Sequence, residues 1–541
     1  MMIYWCDECN IPIINNEICS ICGSKTRKIS NDIRPVFIEE KKIISIILGK
    51  NIVNSSVWNK GSVNYIIDGQ NIRVNYVNLF KDDNAINEIR EKYMNQTVNF
   101  DKILEINQFE YVFHDKNLYK FIKANEQHIR NLEYSSQDYI LKLNNKLKDR
   151  NVIPTISFSG GKDSTVVSNL IRETYGDQKI IHIFGDTTLE FKTTYNYVNR
   201  FKSTNVFTPI IVSRSEKKFF ELCEEFGPPS RLERWCCTIF KTSPISENVN
   251  ILADNENSLS FLGIRASESV QRSNYEKTRL NSKISRQIVS MPIFEWLDVD
   301  IWLYLLYKKL DFNAAYTLGF TRVGCWCCPN NSTRSDFFMK LYFKEEYDRW
   351  YKLLVSYAKK AGIEDYDVYV NHGKWKSRRG LRGLEKRSVD LKQEDCKLND
   401  DAKVYFLKKD VKEDLIEFFK PFGETTKIFE SEDLSIFSVG YQLDDKDSNF
   451  KIYLNINSKT IKIEPIKVKN ISLFYQRVEC QLRKYEFCIR CMACDSVCPS
   501  DAIRTANNNY RIIEENCVHC LKCVAHFNGG CLRVEKHKSK I

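Results

Sequence analysis

The segment that most restricts the fold of this chain runs from Val152 to Ser164. An apolar stretch, Val152 to Ile156, leads into Ser159-Gly160-Gly161-Lys162-Asp163-Ser164, and a helical pattern follows. The glycines allow backbone N–H groups to turn toward an anion, and the N-terminal end of a helix attracts negative charge. Lys162 adds a full charge, and the two serine hydroxyls can donate to phosphate oxygens. The segment predicts a strand, a phosphate-binding loop and a helix, with a glycine spacing different from that of the Walker A loop.

After residue 152 the sequence alternates short apolar runs with helical segments. One run, 179–184, is followed by Asp186, and another, 258–262, is followed by Gly263. Strands that alternate with helices form a doubly wound parallel sheet, which binds ligands at the carboxyl ends of its strands. We therefore predict a multidomain α/β protein in which Asp186 and Gly263 lie at the same sheet edge as the phosphate-binding loop.

A chain of 541 residues is too long for a single hydrophobic core. The run from Val36 to Leu48 predicts a strand, and Asp68-Gly69 between two β-rich runs predicts a hairpin, reminiscent of RNA-binding PUA-like domains. We divide the chain into a zinc ribbon or rubredoxin-like knob at 1–30, a β-rich module at 31–83, a helical linker region at 84–150, a catalytic domain at 151–395, an α/β segment of unassigned role at 396–470, and a ferredoxin-like domain at 471–541.

The net charge of +11 suits an anionic ligand or RNA, and it equally suits an ordinary soluble surface. No run approaches the roughly 18 apolar residues of a membrane span, and the N-terminus shows no secretory signal. We expect a cytoplasmic protein with no membrane partner.

Twenty cysteines occur mainly in pairs and triplets separated by two residues, which is typical of metal ligands in a chain without an export signal. The first group predicts a tetrahedral site for zinc, with iron as the alternative: Cys6, Cys9, Cys19 and Cys22. The second group predicts one 4Fe-4S cluster and leaves Cys327 spare: Cys236, Cys237, Cys325 and Cys328. Unrelated buried thiols are the alternative for this second group.

The C-terminal cysteines repeat the spacing of bacterial two-cluster ferredoxins, in which the fourth cysteine of each run binds the other cluster. This rule predicts a 4Fe-4S cluster on Cys488, Cys491, Cys494 and Cys531. It predicts another on Cys517, Cys520, Cys523 and Cys498. Cys531 departs from the pattern because it is displaced and no proline follows it.

Between about residues 151 and 390 the chain resembles the phosphoadenosine phosphosulfate (PAPS) reductase family of the PP-loop superfamily. The resemblance rests on segments in the expected order: Ser159 to Ser164; Asp186-Thr187 with Glu190-Phe191 and Thr194; Arg234 to Cys237 with Lys241; Gly263 to Ser269 with Arg272; Pro292-Ile293 with Trp296; and Gly324 to Pro329. The cysteine pairs are similar to those of cluster-bearing members, such as adenylylsulfate reductases and the DNA phosphorothioation enzyme of this fold.

The resemblance implies that these residues surround an adenine nucleotide. Asp186 would bind Mg²⁺ if the nucleotide is ATP, or a ribose hydroxyl in a reductase, and Glu268 would orient a neighbouring arginine. The phosphate would be held by Ser159, Gly160, Gly161, Lys162, Asp163 and Ser164, with Lys162 also catalytic. A sulfate or second phosphate would lie near Gly263 and among Arg234, Lys241, Arg265 and Arg272.

One departure concerns the nucleophile. Sulfonucleotide reductases attack sulfur with a cysteine in a Glu-Cys-Gly-Leu-His tail, which this chain lacks. The nearest echo is Asp395-Cys396-Lys397-Leu398, after the basic segment 378–382. A thiolate beside lysines is activated by a lowered pKa, so Cys396 is a candidate nucleophile, with an ordinary surface cysteine as the alternative and Cys223 as a weaker candidate.

Two functions fit these patterns. In the first, a low-potential electron donor reduces the ferredoxin module, and a sulfonucleotide is reduced to sulfite near the second cysteine group. In the second, the loop binds ATP and Mg²⁺, and the enzyme adenylates and thiolates tRNA or DNA. We favour the first, because a fused electron-transfer module has little purpose in an ATPase, while the missing tail favours the second.

Overall fold

The computed structural model describes the chain except residues 98, 149–151, 177–179, 254–256, 281–283, 285–286, 379–389, 397–398, 442–447, 506–508, 528 and 539–541. The chain begins with strands β1 (Ile3–Cys6), β2 (Ile11–Ile14) and β3 (Arg27–Ser30). They form an antiparallel sheet in the order β2–β1–β3. The first cysteine group lies at the end of β1 and in the two connections between these strands.

A four-stranded antiparallel sheet follows, and its members are β4 (Arg34–Pro35), β5 (Val57–Gly61), β6 (Asn64–Ile67) and β7 (Gln70–Arg73). The predicted hairpin is confirmed, since β6 and β7 pair across Asp68 and Gly69, both at positive φ. The strand predicted at Val36 to Leu48 is wrong, because α1 (Ile38–Leu48) occupies this run. A short apolar run does not distinguish a buried strand from a buried helix.

Helices then connect this sheet to the next domain: α2 (Tyr76–Lys81), α3 (Asp83–Gln96), α4 (Phe100–Glu105), α5 (Gln108–Val112), α6 (Lys116–Ala124) and α7 (Glu126–Leu147). Several begin at side-chain caps that accept from otherwise unpaired N–H groups. Asp82 caps α3 in this way, and Asp115 caps α6.

The central sheet has the order β10–β9–β8–β11–β13–β12, and all pairs are parallel except the last. Its strands are β8 (Ile153–Ser157), β9 (Ile181–Asp186), β10 (Ile210–Arg214), β11 (Ser258–Phe261), β12 (Thr278–Leu280) and β13 (Gln287–Ser290). The intervening helices are α8 (Lys162–Tyr175), α9 (Lys192–Thr204), α10 (Phe219–Phe226), α11 (Trp235–Cys237), α12 (Ser243–Ala253) and α13 (Val270–Ser273). This arrangement confirms the predicted doubly wound parallel sheet, whose order reverses on either side of β8.

Further helices pack around this sheet: α14 (Asp298–Tyr307), α15 (Thr333–Tyr342), α16 (Lys344–Lys360) and α17 (Tyr366–Asn371). The segment from 308 to 332, between α14 and α15, contains the second cysteine pair, Cys325 and Cys328. None of the described helices combines the length and apolar character needed to cross a bilayer.

The segment predicted as α/β at 396–470 differs from that prediction. It is the second six-stranded sheet (the second sheet), antiparallel in the order β14–β15–β19–β18–β17–β16, and it starts before the predicted boundary: β14 (Lys392–Cys396), β15 (Asn399–Phe406), β16 (Thr425–Glu430), β17 (Leu434–Gly440), β18 (Asn449–Asn455) and β19 (Thr460–Pro465). Residues alternate between buried and half-buried along β17, β18 and β19, as expected for strands with one face on a core.

The chain ends in a domain that places two short strands among helices: α18 (Ile471–Phe487), α19 (Ala493–Val497), β20 (Ile503–Arg504), β21 (Arg511–Ile512), α20 (Lys522–Ala525) and α21 (Leu532–Lys538). This is the predicted ferredoxin-like domain. The apolar core beneath the second sheet is continuous with the core of the ferredoxin-like domain and with the region around Cys327.

A buried ion network joins the β-rich module to the catalytic domain. Glu40 on α1 is fully buried and receives two hydrogen bonds from Arg34, at 2.9 and 2.8 Å. Arg334 on α15 also pairs with Glu40, and the Tyr65 hydroxyl donates to it at 2.8 Å. One carboxylate therefore compensates two buried guanidinium groups from separate parts of the chain.

We expect Glu40→Gln to destabilise the protein by about 3–5 kcal/mol, because it leaves buried arginine charge uncompensated. Urea unfolding of the full chain measures the loss. Glu88→Gln is the matched control, since Glu88 forms an exposed pair with Lys92 and such pairs contribute little. Equal shifts of the unfolding midpoint in both variants would contradict the role given to Glu40.

Candidate active site

The loop between β8 and α8 connects a strand to a helix, as the sequence predicted. Gly160 has a φ of +67°, and a Cβ there would lie 3.0 Å from Thr194 Cγ2, so the position favours glycine. The Ser164 hydroxyl donates to the Gly161 carbonyl at 2.8 Å and lies 3.2 Å from the Ser159 hydroxyl. These hydroxyls thus flank the first turn of α8, where a phosphate can accept hydrogen bonds from the backbone.

Four charged side chains meet beside this loop. Lys162 Nζ lies 2.8 Å from an Asp163 oxygen and 3.1 Å from Asp298 Oδ1. Arg265 contacts the same two carboxylates, with Nε 2.7 Å from Asp163 and Nη2 3.0 Å from Asp298. Burial lowers the pKa of Lys162, but the two carboxylates more than offset this and raise it. Lys162 and Arg265 therefore keep their charges in a nearly dry position.

Gly263 explains how Arg265 reaches this network. A Cβ at Gly263 would lie 2.8 Å from the Asp163 carbonyl carbon and 2.9 Å from the Ser164 nitrogen. The missing side chain lets the end of β11 pass directly against the loop. Glu268 then accepts a hydrogen bond from the Arg265 N–H at 3.0 Å and pairs with Arg272, so it contacts both arginines that it was expected to orient.

Asp186 lies at the end of β9 and is almost completely buried. Its Oδ1 accepts from the Tyr195 hydroxyl and from the Thr188 N–H, each at 2.8 Å. Its Oδ2 accepts from Arg214 Nε at 2.9 Å. A magnesium ion or ribose would have to displace the Arg214 guanidinium, whose side chain is 59% exposed and able to leave. The role of Asp186 stays a prediction.

The second cysteine group lies next to Asp186. Cys325 Sγ is 3.3 Å from the hydroxyl of Thr187, the residue that follows Asp186, and Cys325 pairs with Glu190 through a β-bridge. The Cys236 thiol donates to Cys237, and this hydrogen bond, with the charges of Arg234 and Lys241, lowers the pKa of Cys237 to about 5 despite its burial. A thiolate is the form in which cysteine binds metal.

Electrostatic interactions connect the four predicted ligands. Burial and the nearby thiols of Cys328 and Cys237 raise the pKa of Cys325, as does Glu190. Cys327 is 4% exposed in the apolar core, and its thiol also neighbours those of Cys325, Cys223 and Cys328. The donor set of Cys236, Cys237, Cys325 and Cys328 suits a 4Fe-4S cluster, and this assignment remains a prediction.

The first cysteine group has the geometry of a zinc site. Cys6 Sγ lies 3.5 Å from Cys22 Sγ, and Cys19 Sγ lies 3.8 Å from Cys9 Sγ. Tetrahedral zinc with bonds of about 2.3 Å would place its sulfur ligands about 3.8 Å apart. Burial and the neighbouring thiols raise the pKa of Cys6 to about 11, a cost that a bound cation would remove. These four thiols can hold a zinc ion.

The C-terminal cysteines fall into two neighbourhoods. Burial raises the pKa of Cys491, and the nearby thiols of Cys494, Cys488 and Cys531 raise it further. Burial also raises the pKa of Cys517, and the thiols of Cys498 and Cys520 raise it further. Backbone N–H groups also approach sulfur, such as Ala502 N at 3.2 Å from Cys498 Sγ.

Lys484 on α18 lies between these two neighbourhoods. It is fully buried, and its Nζ donates to the Cys523 carbonyl at 2.7 Å. Burial lowers the pKa of Lys484, but the thiols of Cys494, Cys523, Cys531 and Cys488 more than offset this and raise it. The sequence pattern did not single out Lys484, because only its position between both cysteine sets makes it notable.

The ferredoxin-like domain contacts the segment that carries Cys236 and Cys237. Helix α19, which contains Cys494, packs against α12 and against the π-helical turn Thr238–Thr242. The Asn250 side chain donates to Asp501 at 2.6 Å, and Arg533 pairs with Glu225 on α10. The contact therefore joins the C-terminal cysteines to the catalytic domain.

Cys396 lies apart from these groups. It ends β14 at the edge of the second sheet, pairs in register with Asn399, and has Tyr453 nearby. Cys223 is buried, which raises its pKa. Residues 379–382 of the basic segment, together with Lys397 and Leu398, lie outside the described residues. The nucleophilic role of Cys396 stays a prediction.

Comparisons with known proteins agree with this architecture. Residues 153–331 match the phosphoadenosine phosphosulfate reductase domain, and residues 481–526 match the 4Fe-4S dicluster domain. The chain therefore contains a PAPS reductase domain followed by an iron-sulfur domain, which confirms the resemblance.

Individual relatives cover different parts of the chain. An uncharacterized protein of Methanocaldococcus jannaschii is 26% identical over 473 residues, which are 69% of this chain and 96% of the relative. Adenosine 5′-phosphosulfate reductase 1 of Bacillus subtilis is 29% identical over 174 residues, covering 32% of this chain and 71% of that enzyme. The structure of PAPS reductase from Candida auris covers 37% of this chain and 96% of its own, at 19% identity and a TM-score of 0.28.

We expect Cys19→Ser to remove about one equivalent of zinc per chain, because three thiols bind zinc less tightly than four. Plasma emission spectrometry of the purified full chain measures zinc and iron together. Cys396→Ser is the matched control and should retain both metals. Loss of iron but not zinc from Cys19→Ser would show that this site holds iron.

We expect Lys484→Met to lower the reduction potentials of the dicluster domain, because a buried cation stabilises the added electron. As a guide to size, two unit charges about 7 Å apart at an effective dielectric near 20 interact by roughly 2.4 kcal/mol, which corresponds to on the order of 100 mV. Redox titration followed by electron paramagnetic resonance measures the shift. Lys484→Arg should preserve the potentials, as should Lys522→Met, which removes an exposed cation beside Cys523. Unchanged potentials in Lys484→Met would contradict this role.

Proposed function

We propose that the chain is a cytoplasmic iron-sulfur oxidoreductase that reduces adenylylsulfate, or its 3′-phosphorylated form, to sulfite. The observation that carries this proposal is the contact of α19 with the turn that follows Cys236 and Cys237. It brings an electron-transfer domain against cysteines that neighbour the end of β9, where a doubly wound sheet binds its ligand. A low-potential donor would supply the electrons from outside.

The residues of the loop suit the nucleotide end of such a substrate. Ser159, Ser164 and the first turn of α8 would bind phosphate, while Lys162 and Arg265 supply compensated positive charge at its edge. Arg234 and Lys241 lie beside Cys237 and would face the sulfate. Each charged hydrogen bond there contributes about 1.5–3 kcal/mol.

The proposed reaction balances with two electrons. The bond between sulfur and the bridging oxygen breaks, and its two electrons stay on the oxygen of the nucleotide phosphate. The two electrons from the donor reduce the sulfur, which leaves as sulfite. Iron-sulfur clusters on the assigned cysteines would supply the electrons singly. The protein's own groups would hold the charged substrate and keep Cys237 in its thiolate form.

A second candidate is an ATP-dependent enzyme that adenylates and thiolates tRNA or DNA. The position of Cys396 favours it. This cysteine is the candidate nucleophile whose sequence resembles the reductase tail, but it lies on the second sheet beside Asn399 and Tyr453, apart from the predicted nucleotide site. In this function Asp186 would bind Mg²⁺ after release from Arg214. The zinc knob and the β-rich module would suit a nucleic-acid partner.

Two assays on anaerobically purified protein distinguish these functions. A reductase forms sulfite from adenylylsulfate or its 3′-phosphorylated form when a reduced viologen supplies electrons, and it does not exchange pyrophosphate with ATP. An ATP-dependent thiolation enzyme shows that exchange, stimulated by tRNA or DNA. Exchange without sulfite formation would eliminate the first proposal, and Cys396→Ser with full turnover would exclude Cys396 as the nucleophile.

We expect Lys162→Met to reduce kcat/KM by about 10- to 150-fold, because it removes a charged hydrogen bond worth about 1.5–3 kcal/mol. Steady-state assays with the preferred nucleotide measure the effect. Lys142→Met is the control, since Lys142 pairs with Asp138 on the exposed face of α7. Activity equal to that of the unaltered protein would place the nucleotide elsewhere.

A further inference from the structure

Asp32 lies between the zinc knob (residues 1–30) and the β-rich module, and neither proposed function uses it. Its carboxylate binds the start of α14, where Oδ2 accepts from the Asp298 N–H and Oδ1 from the Val299 N–H, each at 3.1 Å. Leu297, the residue directly before α14, has no side-chain acceptor for these groups. Asp32 therefore serves as a helix cap supplied by a distant segment of the chain.

The capped turn carries the carboxylate that contacts both cations beside the loop between β8 and α8. Asp298 Oδ1 lies 3.1 Å from Lys162 Nζ and 3.0 Å from Arg265 Nη2. Asp32 holds the backbone of the residue whose side chain makes these contacts. One series of contacts thus runs from Asp32 through Asp298 to Lys162 and Arg265.

The zinc knob holds the other end of this series. Strand β3 of the knob ends at Ser30, whose hydroxyl donates to the Asp32 carbonyl at 2.7 Å. Trp5 on β1 packs in the same apolar core as Phe158 at the loop and Trp302 on α14. The knob is therefore packed into the core of the catalytic domain, and its position bears on the position of Asp32.

A second route leads from the knob to the same end of α14 through α7. Asn125, directly before α7, accepts through Oδ1 from the Ile14 N–H on β2 at 2.7 Å. Further along α7, His128 Nε2 lies 2.7 Å from Asp300 Oδ1, and Asp300 Oδ2 accepts from the Leu297 N–H at 2.8 Å. Both routes end at the first turn of α14, so a displacement of the knob would act on this turn.

The metal site gives the knob its order. The sulfur atoms of its four cysteines lie within 4.8 Å of one another. Thiolates repel one another unless a cation neutralises them, and small thiolate-bound segments fold together with their metal. Each strand of the knob has only four residues, so its sheet depends on that metal. Loss of the metal would free β3 and, with it, Asp32.

We propose that metal bound in the zinc knob positions the loop between β8 and α8 for nucleotide binding, and that Asp32 transmits this effect. The loaded knob favours the arrangement of Lys162 and Arg265 that binds phosphate, and a bound nucleotide in turn favours the loaded knob. Asp32 is a positioning residue in this scheme, because it acts through Asp298. The inference deepens the proposed function and rests on it, since it takes the loop as the nucleotide site.

Calorimetric titration of the anaerobically purified full chain with adenylylsulfate, its 3′-phosphorylated form and ATP tests the role of Asp32. We expect Asp32→Ala to weaken binding about two- to thirtyfold, the range for loss of a helix cap. Asp32→Asn should bind within about threefold of the unaltered chain, because an amide oxygen also caps a helix. Asp82→Ala is the matched control, since Asp82 caps α3 through two hydrogen bonds of 3.0 Å and α3 carries no predicted site residue.

Cys19→Ser tests the metal, because it removes a thiol of the knob. We expect it to weaken nucleotide binding, and the double variant with Asp32→Ala to lose less than the product of the two single effects. Linkage supplies a second readout: saturating nucleotide should raise the zinc affinity of the unaltered chain, measured by competition with a chelator, and raise it less in Asp32→Ala. If a variant does not fold, removal of zinc from the unaltered chain tests the same coupling.

Nucleotide binding that is unchanged in both Asp32→Ala and Cys19→Ser overturns the inference and leaves the proposed function in place. Equal weakening by Asp82→Ala overturns it too, and so do single effects that multiply fully in the double variant, since the knob and Asp32 would then act independently. If the unaltered chain binds none of the three nucleotides, the proposed function fails and the inference with it. Iron content, measured for each variant, separates these outcomes from loss of the predicted clusters.

Discussion

One continuous apolar core holds together the parts of this protein that carry cysteines. Buried residues of the second sheet, of α18 and of the ferredoxin-like domain pack in the same cluster as Trp235 and Cys327. The free energy gained by burying apolar surface is proportional to the area buried, and close packing resists deformation. This shared core therefore fixes distances between elements that lie far apart in sequence. The contact between α19 and the turn after Cys237 depends on it. An electron-transfer domain on a flexible tether would have no such fixed position.

Buried charges specify the other main contacts, and they do so by sharing carboxylates. Asp163 and Asp298 compensate Lys162 and Arg265 at the loop, and Glu40 compensates two arginines in the interface with the β-rich module. A buried ion pair need not stabilise a fold relative to apolar residues, but an unpaired buried charge is strongly unfavourable. These networks therefore favour one arrangement of the domains over others. At the loop they also keep positive charge available beside the place where a phosphate would bind.

Local sequence patterns were sufficient for the central features of the fold. The glycines of the phosphate-binding loop, the Asp68-Gly69 turn and the alternation of strands with helices each depend on neighbouring residues only. Predictions were wrong, or differed from the structure, where local pattern is ambiguous: α1 and a strand have similar apolar runs, and the second sheet was taken for an α/β segment. The residues missed near the site are Asp298, Tyr195, Arg214 and Lys484, and none of them belongs to a motif that the sequence analysis recognised.

The sequence by itself determined which groups are present: a glycine-rich loop between a strand and a helix, cysteine sets with metal-ligand spacing, and a PAPS reductase domain followed by a 4Fe-4S dicluster domain. Spacing along the chain is enough for this, since a loop or a cysteine knuckle is built within a few residues. The tertiary structure decided what faces these groups. It placed Arg214 on Asp186, Lys484 between two sets of thiols, and Asp32 on the first turn of α14. Such placements depend on packing between remote segments, which no local pattern encodes.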